Sequence, residues 1–159
     1  MSSLFESYET NAKKEAEGVE VPFAPNQDGS VPTFILAATS KANAKYAKQL
    51  NAATKPYRRN MDAMQDEVAE RIYKDVFCKT VLKGWRNVQV PAKHIEQFKT
   101  EGVVNVVGAN SNVDIDVTYS IENAIKLFTL LPRLYDDLVQ RAASIELFRE
   151  TQREGEAGN

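Results

Sequence analysis

Val81, Leu82, Lys83, Gly84, Trp85, Arg86, Asn87 and Val88 form the stretch on which the reading of the fold turns. Upstream of it, Met61, Met64, Val68, Ile72, Val76 and Phe77 recur at helical spacing, with Asp66, Glu67, Glu70, Arg71 and Lys74 between them. The pattern predicts one amphipathic helix over 61–82. Gly84 then reads as its C-cap, because glycine is enriched just past helix ends, and Trp85, the only tryptophan, reads as a core anchor.

Working back toward the N-terminus, Ser40 is a candidate cap for a helix carrying Ala42, Ala44, Tyr46, Ala47 and Leu50, which Pro56 ends. Before that, Val19, Val21 and Phe23 alternate with Glu20 and Pro22. The turn-rich run Pro25, Asn26, Gln27, Asp28 and Gly29 separates them from the apolar segment 33–37, which predicts a β-hairpin. Pro22 and Pro32 cannot donate to a ladder and push both strands toward an edge. Ser3 with Glu6 matches a capping box for a mostly polar helix closed by Gly18. That helix, over 1–18, belongs on the surface and is free to move until a partner orders it.

Downstream, Pro91 opens a short helix through His94, Ile95 and Phe98, closed by Gly102. A second hairpin is expected between 103–107 and 113–119, across Gly108, Ala109, Asn110, Ser111 and Asn112. Ser120 caps a helix carrying Ile121, Ala124, Ile125, Phe128 and Leu131. Pro132 stops it and opens another, carrying Leu134, Leu138, Ala142, Ile145 and Phe148. The polar segment 151–159 should fray. The expected fold class is α+β, predominantly helical, with four to five helices and one or two small antiparallel β-hairpins. Residues 19–150 form a single globular domain in this reading, long enough to bury about 70% of the unfolded surface without staples.

Net charge is −2, but unevenly spread: no acid stands between Gly29 and Met61, where Lys41, Lys45, Lys48, Lys55, Arg58 and Arg59 contribute +6. Three readings of this basic segment stay open: a solvated helix face, docking onto an acidic protein surface, and nucleic-acid binding. The overall acidic charge and the scarcity of nearby aromatics, Tyr46 and Tyr57, weigh against the last.

Catalytic chemistry finds little support. The single histidine, His94, stands on a short surface helix, and the single cysteine, Cys78, falls in an apolar helical stripe where a thiolate is disfavoured. Asp114 and Asp116 could face a divalent ion from one strand, yet their alternation with Val113, Ile115 and Val117 is that of a half-exposed strand. No phosphate-binding glycine loop or metal-ligand spacing is present, so the expectation is a non-enzyme with no cofactor and no metal. Met1 to Ser7 carries no basic n-region, and no stretch approaches the roughly 18 apolar residues that a membrane span needs. One cysteine fits a reducing compartment.

Several short motifs carry a resemblance. Asn43, Ala44, Lys45, Tyr46 are followed by Lys55, Pro56, Tyr57, Arg58, Arg59, and the long helix runs into Leu82, Lys83, Gly84, Trp85, Arg86, Asn87, Val88. Further on come Tyr119, Ser120, Ile121, Glu122, Asn123, Ala124, and then Leu130, Leu131, Pro132, Arg133, Leu134, Tyr135, Asp136, Asp137, Leu138. Together they resemble the tail assembly chaperones of long-tailed bacteriophages. The resemblance implies a non-catalytic role in the host cell cytoplasm. There, many copies or a homo-oligomer coat the tape measure protein and bring tail tube (major tail) subunits to polymerise around it. Partner binding would fall to Lys41, Lys45, Lys48, Arg58 and Arg59, while Gly84, Trp85 and Pro132 would be structural. The alternative is a small nucleic-acid-binding or regulatory protein using 41–59. The segment 90–117 is longer than the family's usual connection.

Overall fold

In the computed structural model, which describes residues 3–60, 62, 64–99 and 114–149, the stretch after the long helix is a β-strand. The helix α4 (Asp66–Thr80) begins with Asp66 and Glu67 and carries Lys79 in its last turn, charges that suit the helix dipole at both ends. It stops at Val81, whose N–H bonds the Phe77 carbonyl, and the chain passes at once into β3 (Leu82–Arg86). The helix is therefore shorter than expected at both ends. Gly84 is no C-cap; it lies buried inside a strand, and a Cβ there would meet only Ile35 Cδ1 at 3.6 Å. The turn that needs a left-handed residue comes later, at Asn87 with φ 59°.

β3 completes a three-stranded antiparallel sheet in the order β1 (Val19–Pro22), β2 (Thr33–Leu36), β3. The expected first hairpin is present, with Val19 opposite Leu36 and Val21 opposite Phe34. Pro22 sits at the end of an edge strand, whereas β2 after Pro32 is central rather than an edge. Between β2 and β3 the register slips: Ile35 faces Gly84 and Leu36 faces Leu82, which leaves Lys83 as the extra residue of a bulge. The hairpin turn is held by Ser30, whose N–H and hydroxyl both donate to Asp28 Oδ1, and by Asn26 Nδ2 donating to the Asn87 carbonyl at 2.9 Å.

A second, two-stranded sheet pairs β4 (Gln89–Pro91) with β5 (Asp114–Asp116). Among the described residues the partner of β5 is thus β4, in a part read from sequence as irregular. The expected strand 103–107 lies outside the described residues, as do Gly102 and the segment 151–159. After β4 a 3₁₀ helix, Ala92–Gln97, stands where the short helix after Pro91 was expected.

The remaining helices are α1 (Ser3–Tyr8), α2 (Ala12–Glu17), α3 (Ala44–Thr54), α5 (Ile121–Leu130), α6 (Pro132–Ala142) and α7 (Ile145–Phe148). The expected single N-terminal helix is two, because Asn11 accepts from the N–H groups of Lys13 and Lys14 and starts a new one. Gly18 does end α2, at φ 101°. Ser120 caps α5 through Asn123 N at 3.0 Å, and Pro132 opens α6, both as read. The closing helix breaks after Ala142, and Phe148 on α7 folds back onto Val19 and Ala38. The result is the expected α+β class: a mainly helical chain with two small antiparallel sheets.

The main core lies between the sheet and α4, α5 and α6. Phe34, Leu36, Phe77, Val81, Leu82, Phe128 and Leu138 are all buried in it. Two runs of edge-on aromatic contacts thread it. One passes through Phe23, Phe34, Trp85 and Tyr119 with centroids 5.3–5.9 Å apart, and the other joins Phe77 to Phe128 and Tyr135. Trp85 is the core anchor that its position implied: its Nε1 donates to the Val117 carbonyl at 2.7 Å, tying β3 to the chain entering α5.

Candidate interaction surfaces

The catalytic candidates fall on three different elements. Cys78 is fully buried in α4, and burial, with Asp75 nearby, pushes its thiol up to about 12, so almost no thiolate exists near neutral pH. His94 lies on the 3₁₀ helix, its ring nitrogen 3.5 Å from Gln97 Nε2 on an exposed surface. Asp114 and Asp116 are exposed on β5. Among the described residues no group of three or more His, Cys, Asp and Glu converges to hold a metal ion. No described helix is long and apolar enough to cross a membrane.

The basic segment is exposed along its length but not on one helix face. Asn43, not Ser40, caps α3: its side chain accepts from Tyr46 N, while its Nδ2 donates to the carbonyls of Ala38 and Thr80 at 3.0 and 2.9 Å. Lys41 therefore precedes the helix, Lys45 and Lys48 ride on it, and Arg58 and Arg59 follow the 3₁₀ turn Lys55–Tyr57. The sheet adds a cation that spacing could not reveal. Lys83, the bulge residue of β3, shares with Lys45 the wall of a depression of about 400 Å³.

Two other surfaces stand out. On α1 the side chains of Leu4, Phe5 and Tyr8 are 64–68% exposed, an apolar face on a helix with no buried residue. Between α4 and α5 runs a groove of about 630 Å³, with Ile72 and Ile125 among charged neighbours that include Glu67, Glu70, Arg71 and Asp75.

Sequence reading missed the two most connected polar side chains in the core. Asn43 joins α3 to the end of α4. Asn123 on α5 donates to the carbonyls of Lys99 and Thr118 at 2.7 and 2.9 Å and accepts from Lys99 N at 2.8 Å, clamping the chain after the 3₁₀ helix. Each lies inside one of the short motifs that carry the family resemblance. A buried asparagine with three partners is the kind of residue that holds such a motif in place.

These features define a small α+β protein distinguished by its exposed apolar and basic patches. The chain matches the family described as YdaY prophage protein over residues 41–159, and it belongs to that family. No curated protein and no solved structure matches it. The protein is phage-associated, and the match takes in the basic segment, the long helix, β3 and the closing helices.

Proposed function

We propose that this phage protein is a non-catalytic tail assembly chaperone. In this reading it acts in the host cell cytoplasm, where several copies shield the tape measure protein and recruit tail tube subunits. The observation that carries the reading is the apolar face of α1. Leu4, Phe5 and Tyr8 project from a helix with no core residue, a poor arrangement for stability and a good one for covering an apolar stripe on a helical client. Membership of a prophage family and the short motifs around Asn43 and Asn123 are consistent with it. Modest contacts suffice, because many copies on one long client gain avidity without a strong single site.

The test is co-expression with a tape measure protein from the same phage. The client is expected to stay soluble and to co-purify, and to lose both properties when Leu4, Phe5 and Tyr8 are replaced together by serine. A client equally soluble without this protein, or indifferent to the triple substitution, defeats the reading.

A further inference from the structure

We propose that the depression between α3 and the bulge of β3, walled by Lys45 and Lys83, binds a carboxylate presented by an acidic segment of a partner protein. Three independent features point there. The first is the bulge itself. Register slippage between Ile35 and Leu36 leaves Lys83 unpaired with any β2 residue, and a bulge of this kind re-aims a side chain as it bends the strand locally. The residue that it re-aims is a lysine, and it lies partly buried against the depression instead of in open solvent.

The second feature is the placement of Lys45. It occupies the first turn of α3, a turn without an acidic residue, where the helix dipole opposes a cation. Its neighbour across the depression is a second cation. Burial and the Lys45 ammonium together lower the Lys83 amine below its ordinary range. Among the described residues neither lysine forms an ion pair, although Lys79, Arg86, Lys99 and Arg141 each find a carboxylate elsewhere on the surface. Two like charges that share one depression, one of them set against a helix dipole, are stabilised when an anion arrives.

The third feature selects the anion. Glu17, at the end of α2, lines the same depression, with Ala16, Ala42 and Ala44 supplying small neutral walls. One carboxylate beside two ammonium groups leaves a local charge of about +1, enough to orient a single carboxylate by Coulomb attraction. The same Glu17 repels a polyphosphate backbone, whose neighbouring charges follow closely along the strand. The geometry thus favours an acidic protein segment over nucleic acid. The inference rests on the protein-partner reading above, but its test does not require that client.

The experiment uses the full chain and a fluorescein-labelled oligo-glutamate peptide, followed by anisotropy at low ionic strength. Lys83→Gln and Lys45→Gln are each expected to weaken binding about fivefold, the scale of one partly screened charge pair. Lys48→Gln and Arg58→Gln remove the same formal charge from the same segment and should change it by less than about twofold. Glu17→Gln should tighten it. Equal losses for all four basic substitutions would show diffuse attraction and overturn the site. So would absence of peptide binding, or an oligothymidylate of equal charge that binds more tightly and depends on the same two lysines. Absence of peptide binding with the tape measure client still kept soluble would overturn this site alone and leave the chaperone reading standing.

Discussion

Replacing Asn123 by aspartate tests the polar clamp with a change of one atom type. Asn123 is 1% exposed, and its Nδ2 donates to two carbonyls, those of Lys99 and Thr118, while Oδ1 accepts from Lys99 N. Asn123→Asp keeps the acceptor and turns the donor into an oxygen aimed at two carbonyl oxygens. Two part-buried carbonyls lose their donor, and a carboxylate is desolvated with one backbone N–H left to it. The expected loss at pH 7 is about 3–5 kcal/mol. It is pH-dependent with a definite sign. Both burial and the facing carbonyls disfavour the ionised form, so the introduced carboxyl has a folded pKa above its unfolded value of about 3.9. A group raised in the folded state binds more protons there than when unfolded, so the variant loses stability as pH rises from about 4 through that folded pKa. Below about pH 4 the protonated carboxyl can donate to one of the two carbonyls, and most of the deficit relative to the parent should vanish. Urea denaturation of both proteins between pH 4 and pH 8, followed by the fluorescence of the buried Trp85, measures the difference directly. A variant as stable as the parent at pH 7, or a deficit that stays flat with pH, would refute the donor assignment and the clamp with it.

Trp85→Ala should cost about 3–5 kcal/mol, because it empties the space between Phe34 and Tyr119 and removes the bond to the Val117 carbonyl. An unchanged midpoint by far-UV circular dichroism would place the indole outside the core. Gly18→Ala and Gly84→Ala form a contrasting pair. At Gly18 the backbone has φ 101° and a Cβ would fall 3.0 Å from Ile35 Cγ2 and 3.2 Å from the Leu36 backbone, so a loss of about 2–3 kcal/mol is expected in thermal unfolding. At Gly84 the nearest atom is at 3.6 Å, and the change should be within about 1 kcal/mol; a loss as large as at Gly18 would count against the strand assignment. Cys78, with its thiol raised to about 12, should resist a thiol reagent at pH 8 in the native protein and react promptly in urea; fast native labelling would contradict its burial.

Features set by neighbours in sequence were legible. Period-two alternation over 19–23 and the apolar run 33–37 indicated the first hairpin, Ser120 signalled the start of α5, and Pro132 separated α5 from α6. Features set by partners distant in sequence were not. Leu82 and Trp85 stand three apart and extend the helical period of Val76 and Phe77, with a glycine placed where a C-cap glycine would be. Only pairing with β2 makes the segment a strand, and the bulge at Lys83 spoils the alternation that would have betrayed it. Ser40 looked like the cap of α3, but Asn43 takes that place and leaves the Ser40 hydroxyl buried without a bond. The same limit applies to the surfaces. Charge composition marked Lys45 and its neighbours as a basic segment, whereas Lys83 joins Lys45 through a strand bulge that no spacing rule reports. Leu4, Phe5 and Tyr8 stand in a stretch that is polar in composition, where no apolar periodicity marks them.

The family match begins at residue 41, yet the fold does not divide there. β1 and β2 supply two of the three strands in the main sheet, and Phe34 meets Trp85 of the matched part edge-on. α2 is bound on both sides: the Glu15 carbonyl accepts from Ala38 N at 2.8 Å, and the Phe148 carbonyl accepts from Asn11 N at 2.9 Å. Without 12–36, β3 would present an open edge, and Trp85 and Leu82 would lose one wall of their core. The matched region is therefore the larger part of a cooperative unit that the preceding residues complete. α1 is different. Like α2 and α3 it buries no residue, but unlike theirs its large apolar side chains, Leu4, Phe5 and Tyr8, are mostly exposed. In a chain whose other helices from α4 onward each bury core residues, the helix least needed for the fold is the one with most apolar surface to offer a partner.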